Sequence, residues 1–305
     1  MYSKILVPLD GSKTAENVLP LARCFDRSLQ IPVELLGVVD IAEMARRHVV
    51  ADPASMIRTL VDDATRRLGD YLEQVAKNFP IGKVQCTVRR GNAAEAIIES
   101  AAADNQTLIA MATHGRSGVD RWLLGSVAEK VLRGASNPTL VVRAKEEKNP
   151  AWEMTPLKRV MVPLDGSELS EKVLPSVEEL AKKLDLEVTL LGVYGVPSVI
   201  SSGGEGSYNT TQVKGFIGGL RAETLAYLEK KAAGLKSKGL DKVSFVAKEG
   251  LAADEIISTA RHTLDNLIAM CTHGRAGVTR WMLGSVTETV VRHSGDPVLV
   301  IRAAG

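Results

Sequence analysis

The sequence predicts an α/β fold, present twice in one chain, and three observations carry that expectation. Short runs rich in Val, Ile and Leu alternate with amphipathic stretches, the pattern of parallel strands joined by helical crossovers. Hydrophobic residues make up 45% of the chain but aromatic residues only 4%, so its cores must be aliphatic. That suits a sheet covered by helices better than an aromatic-rich β-sandwich. Finally, the first half recurs in the second. Val7-Pro8-Leu9-Asp10-Gly11-Ser12 returns as Val162-Pro163-Leu164-Asp165-Gly166-Ser167, and Thr113-His114-Gly115-Arg116 returns as Thr272-His273-Gly274-Arg275. The repeat is as long as a domain, which marks a duplication and not a solenoid. A length of 305 residues accommodates two domains of ordinary size.

Taken in order, Lys4–Leu9 is an apolar run ending in Asp-Gly and suits a strand buried on both faces. Residues 14–29 read as a helix, with Ala15, Val18, Leu19, Ala22 and Phe25 at helical spacing. Val33–Val39 is a second strand, Met56–Val75 a longer amphipathic helix and Lys83–Arg89 a third strand. Ala93–Ala103 is an alanine-rich helix and Thr107–Ala112 a fourth strand. Ser126–Arg133 is a helix and Pro138–Arg143 a fifth strand. The same succession runs from Arg159 to Arg302. Between the copies, the charged, proline-containing Lys145–Pro150 stretch marks an exposed linker. The expected domains are therefore 1–145 and 156–305, joined by 146–155. The second copy alone carries the Gly/Ser-rich segment Ser201–Ser207.

A net charge of +2, with basic residues spread along the chain, gives no electrostatic case for nucleic-acid or membrane binding. No apolar run approaches a membrane span, and the N-terminus lacks the apolar core of a signal peptide, so a cytoplasmic location is expected. Cys24, Cys86 and Cys271 form no CxxC or zinc-ligand pattern and read as reduced thiols.

In parallel sheets ligands bind at the carboxyl ends of the strands, which directs attention to two segments. Asp10-Gly11-Ser12 follows the first strand. Thr113-His114-Gly115-Arg116-Ser117-Gly118 follows the fourth, with Gly125-Ser126 opening the next helix. A strand-end Asp can accept hydrogen bonds from ribose hydroxyls. Glycines let backbone N–H groups approach a phosphate, and a helix N-terminus adds free N–H groups and a positive dipole end. Plainer readings exist. Asp10-Gly11-Ser12 fits a turn followed by a cap. Ser126-Val127-Ala128-Glu129 and Ser285-Val286-Thr287-Glu288 fit capping boxes. Neither a phosphate-loop lysine nor a GxGxxG pattern is present.

The fourth-strand segment resembles the universal stress protein signature: a glycine, two residues, a second glycine, nine residues, then Gly-Ser or Gly-Thr. Gly115, the nine residues Arg116–Leu124 and Gly125-Ser126 match it, as do Gly274, Arg275–Leu283 and Gly284-Ser285. Val-Pro-Leu-Asp-Gly-Ser and the terminal Pro-Thr-Leu-Val-Val-Arg are typical of the same family. The first signature glycine is Ala112 in one copy and Cys271 in the other. A positive φ there would make either side chain costly, whereas a strand-like backbone would accept both.

The resemblance implies two Rossmann-like (adenine nucleotide α-hydrolase-like) domains, each a five-stranded parallel sheet of order 3-2-1-4-5. It implies ATP or another adenine nucleotide as ligand, with Mg²⁺ as a companion of the phosphates. Pro8, Asp10 and Val38 would surround adenine and ribose. Ala112, His114, Gly115, Arg116, Gly118, Gly125, Ser126 and Val127 would line the phosphates. The counterparts are Pro163, Asp165 and Val193, then Cys271, His273, Gly274, Arg275, Gly277, Gly284, Ser285 and Val286. Arg116 and Arg275 are either phosphate donors or solvated loop residues.

No nucleophile with a base and no metal set is evident, and His114 and His273 lack a visible acid/base partner, so no catalytic residue is assigned. The expected role is an ATP-binding sensor or regulator in stress response, with at most slow hydrolysis. The alternatives are a nucleotide-free interaction module and an adenylyl-transferring or hydrolytic enzyme. The resemblance also implies pairing of the two domains through their fifth strands, and a homodimer of tandem chains. Trp122 and Trp281 are candidates for core residues or interface anchors.

Overall fold

The computed structural model describes residues 2–41, 53–79, 83–113, 124–143, 157–195, 210–263, 265–272 and 283–302. They fall into two compact units, Met1–Pro156 and Leu157–Ala303. The expected linker 146–155, the segment Ser201–Ser207 and both Trp122 and Trp281 lie outside the described residues.

Unit one runs β1 (Lys4–Leu9), a 3-10 turn (Ala15–Val18), α1 (Leu19–Leu29), β2 (Val33–Val39), α2 (Pro53–Ala76), β3 (Val84–Arg90), α3 (Ala93–Ala102), β4 (Thr107–Ala112), α4 (Ser126–Gly134) and β5 (Thr139–Val142). Its strands form a parallel sheet in the order β3-β2-β1-β4-β5. Ile5 lies opposite Val33 on one side and Leu108 on the other. The unbroken apolar character of β4 follows from its place, since all of Thr107–Ala112 is buried between two helical layers. β3, at the sheet edge, is only partly buried and carries Arg89 and Arg90.

Unit two repeats the plan with β6 (Arg159–Pro163), the short α5 (Glu168–Glu171), α6 (Leu174–Leu184), β7 (Glu187–Tyr194), α7 (Thr210–Ser237), β8 (Val243–Glu249), α8 (Ala252–Arg261), β9 (Asn266–Cys271), α9 (Ser285–His293) and β10 (Val298–Ile301). The order is β8-β7-β6-β9-β10, again parallel. Both units therefore have the expected 3-2-1-4-5 arrangement.

The helix expected over residues 14–29 is divided into a 3-10 turn and α1. Pro20 has no N–H to donate to the carbonyl of Glu16, so the α-helical ladder starts only at Leu19. Pro175 produces the same break between α5 and α6. The apolar face read from the sequence is nonetheless the buried one, and Val18, Leu19, Ala22 and Phe25 are fully enclosed.

The long helices α2 and α7 lie close on their sheets because the strand beneath has a glycine. A Cβ on Gly37 would stand 2.6 Å from Cγ of Leu68, and one on Gly192 2.5 Å from Cγ2 of Thr224. Those approaches are too short for any side chain, so the glycines set the distance between helix and sheet.

Candidate functional site

The turn after the first strand has the same construction in both repeats. Gly11 and Gly166 have φ of 80° and 82°, a left-handed conformation that glycine adopts without strain. This bends the chain so that Ser12 donates to Oδ1 of Asp10 through its backbone N–H at 2.9 Å and its hydroxyl at 2.6 Å. Ser167 does the same to Asp165 at 3.0 and 2.6 Å. The serine hydroxyl then accepts from Ala15 N–H in one repeat and Ser170 N–H in the other. The turn forms in both repeats and fixes each aspartate at the carboxyl end of the central strand; Ser167 is also the N-cap of α5, whereas in repeat one the 3-10 turn starts after Thr14, which makes no side-chain cap bond.

The capping boxes do not form. Gly125 and Gly284, not the serines, are the residues that precede the helices, and neither helix has a side-chain cap. Ser126 and Ser285 stand one position inside the helix and are exposed. Glu129 and Glu288 turn away to Arg133 and Arg292, each with a 3.1 Å bond from Nε. The i,i+4 partner therefore claims the glutamate that a capping box would need.

At the fourth strand, Ala112 and Cys271 are the last strand residues, and neither has a positive φ. Side chains at the first signature position are therefore unstrained. Thr113 O accepts from Gly125 N–H at 2.8 Å and Thr272 O from Gly284 N–H at 2.7 Å, which ties the two ends of each signature segment together. His114, Gly115, Arg116 and Gly118, with His273, Gly274, Arg275 and Gly277, lie outside the described residues.

In repeat two these elements enclose a cavity of about 170 Å³. Pro163, Asp165, Val193, Cys271 and Val286, all expected from the sequence, line it. The reading from sequence did not assign Leu164, Ser170, Leu191, Ala252, Ile256 and Met270 to the site, and these also line it. Ala252 and Ile256 come from α8, the helix after the third strand of the repeat. The rule that pointed to strand ends applies to that segment too, but its side chains carry no polar motif to draw notice. The volume lies below the roughly 300–1,000 Å³ of whole-ligand pockets.

The lining is mostly apolar, with Asp165 on one side and the first turn of α9 on the other. Burial pushes the Cys271 thiol up to about 12, so it is a neutral, apolar wall at ordinary pH. Among the described residues no group of three or more His, Cys, Asp or Glu gathers to hold a metal ion.

A second feature escaped the sequence reading. Tyr71 in α2 donates from its hydroxyl to Oε1 of Glu16 at 3.2 Å, and Tyr227 in α7 donates to Oε1 of Glu171 at 3.0 Å. Each pair links the turn after the first strand to the long helix. Lys13 and Lys231 complete the carboxylates. Burial, then the neighbouring glutamate, pushes both phenols well above their ordinary value, so they stay protonated as donors.

The pattern that defines the "Universal stress protein family" matches residues 1–143 and again 156–302. Universal stress protein MJ0531 of Methanocaldococcus jannaschii is 31% identical over 145 residues, which cover 48% of this chain and 82% of that protein. Universal stress protein MJ0577 of the same organism is 31% identical over 157 residues, covering 48% and 97%. The crystal structure of a universal stress protein from Archaeoglobus fulgidus superposes with a TM-score of 0.68 over 99% of this chain and 96% of that one, at 19% identity, a likeness of fold. No helix among the described residues is long and apolar enough to cross a membrane. With the signature at both fourth strands and the family pattern matched twice, the chain belongs to the universal stress protein family and carries two of its domains in tandem.

Proposed function

We propose that each repeat binds an adenine nucleotide, ATP in the first instance, and that the chain acts as a nucleotide-dependent sensor or regulator in stress response with at most slow hydrolysis. The observation that carries this reading is the cavity of repeat two, where one aspartate, an aliphatic wall and an uncapped helix start converge at the strand ends. Leu191, Val193, Ile256 and Met270 supply the apolar surface that a purine ring needs. Asp165 stands where a ribose hydroxyl can donate to it. The N–H groups of Ser285 and Val286 at the start of α9, beside Gly284 whose own N–H is held by Thr272 O, meet the phosphates together with His273, Gly274, Arg275 and Gly277. In repeat one Pro8, Asp10, Val38, Ala112 and Gly125 to Val127 take the same parts, with His114, Gly115, Arg116 and Gly118 at the phosphates. Mg²⁺ would arrive with the phosphates, since among the described residues no carboxylate cage is gathered for it.

Heat-denaturing the purified protein and analysing the supernatant by mass spectrometry tests the reading. Unchanged adenine nucleotide, or its uptake on titration, is expected. No nucleotide in the supernatant and none bound on titration would leave an interaction module. Turnover well above background would make the chain an enzyme. In the bound protein, Gly115→Val should remove binding from repeat one and leave the fold intact. The homodimer belongs to the same proposal, and light scattering on the native chain decides it by mass.

A further inference from the structure

The repeats match closely at the turn, the sheet and the helix start, yet the walls around the proposed site differ at three places. Where repeat one has Ala15, Ala112 and Ala128, repeat two has Ser170, Cys271 and Thr287. Each change adds atoms: a hydroxyl at Ser170, a thiol at Cys271, and a hydroxyl with a methyl at Thr287. All three residues line the cavity of repeat two and all are buried.

The added groups are not spare donors for a ligand. Thr287 Oγ1 donates to the carbonyl of Cys271 at 2.8 Å, and Ser170 Oγ donates to the carbonyl of Ser167 at 2.9 Å. Both bonds take the hydroxyl proton to a backbone carbonyl, so neither group has a proton left for a phosphate, and what they add to the cavity wall is volume. The Thr287–Cys271 bond also fastens the first turn of α9 to the end of β9. Repeat one has no such fastening, because Ala128 has nothing to donate. A filled and tied wall cannot open to admit a ring without breaking that bond, whereas alanines leave room.

We infer that the two sites are unequal, repeat one being the tighter adenine-nucleotide site and repeat two being narrowed by Ser170, Cys271 and Thr287. This rests on the nucleotide reading above. The difference expected is roughly tenfold in dissociation constant, the scale of modest overpacking. The Cys271 thiol, kept protonated by its burial, adds no negative charge against the phosphates, so the narrowing is steric.

Calorimetric titration of the full chain with ATP tests the inference. Two phases are expected in the native protein. Ser170→Ala/Cys271→Ala/Thr287→Ala installs the residues repeat one already tolerates, and should tighten the weaker phase about tenfold and leave the tighter one alone. The reciprocal Ala112→Cys/Ala128→Thr should weaken the tighter phase. A thermal melt of each variant confirms that it folds, and either variant alone is decisive. Two equal sites in the native protein, or a weaker phase that the alanine variant does not tighten, would overturn the inequality while leaving nucleotide binding in place. Absence of binding in native protein and both variants, with ATP, ADP and AMP, would overturn both readings.

Discussion

In repeat one the helix after the third strand begins at Asn92, whose side chain accepts from the N–H groups of Ala94 and Glu95 at 3.1 and 3.3 Å. In repeat two the same position is Leu251, 73% exposed, and α8 has no side-chain cap. The strand-end turns, by contrast, agree to within a tenth of an ångström in their hydrogen bonds. The difference teaches where each repeat is constrained. Positions that set backbone direction at the site allow one solution, while a cap on a peripheral helix contributes only about 1 kcal/mol and can be lost.

The comparison can be broken most severely in the core. Leu72 and Leu228 occupy matching places on α2 and α7 and are fully buried. Replacing either with Ala should cost about 2–5 kcal/mol, read as a lower midpoint in urea unfolding. A loss in only one repeat would mean that the two helices are not held alike. Next come the glycines beneath those helices. Gly37→Ala and Gly192→Ala should each cost about 1–3 kcal/mol, because a Cβ would meet Leu68 or Thr224 at 2.5–2.6 Å. If both variants melt as the native protein does, the helices can lift without penalty and the close approach does not matter.

Tyr71→Phe and Tyr227→Phe remove one hydrogen bond each from the links to Glu16 and Glu171, with an expected loss of about 1 kcal/mol in thermal unfolding. The caps give a change of similar size and opposite sign. Leu251→Asn should stabilise repeat two by about 1 kcal/mol, and Asn92→Leu should destabilise repeat one by as much. No gain from Leu251→Asn would show that α8 starts with a geometry unlike that of α3.

The last effect is confined to alkaline pH. Cys271 is raised by burial from an ordinary 9.0 to about 12, and its counterpart Ala112 cannot titrate. Above pH 9 the unfolded chain gives up a proton that the folded chain keeps. The contribution is therefore full below pH 9 and is lost as pH rises toward 12. Cys271→Ala should flatten that limb of the pH–stability curve; an unchanged slope would place its origin elsewhere.

Strands and duplication were legible because apolar runs and exact repeats are local signals. The central strands Lys4–Leu9, Val33–Val39 and Thr107–Ala112 were read to the residue. The division before α1 was missed although Pro20 is plain in the sequence, since helical periodicity of the side chains continues through a 3-10 turn. The capping boxes misled for a different reason. Ser-x-x-Glu specifies a box only if the serine precedes the helix, and Gly125 and Gly284 take that position instead. The tyrosine–glutamate links join residues 55 and 56 positions apart, beyond any local pattern. At the cavity of repeat two, Asp165 was legible from its motif, whereas Ser170 and the apolar wall from Ile256 and Met270 were not, because such residues carry no motif and look the same in a core.

The sheet order bears on how the chain is made. β1 pairs with β2, its successor, and also with β4, so Lys4 must wait for Thr107 before its second edge is covered. A growing chain can assemble β1, β2 and β3 in sequence, but the central strand stays half unpaired until the fourth strand has emerged from the ribosome. The duplication does not lengthen that exposure. Each half supplies all five strands of its own 3-2-1-4-5 order, so the first order can be completed while the second is still being synthesised.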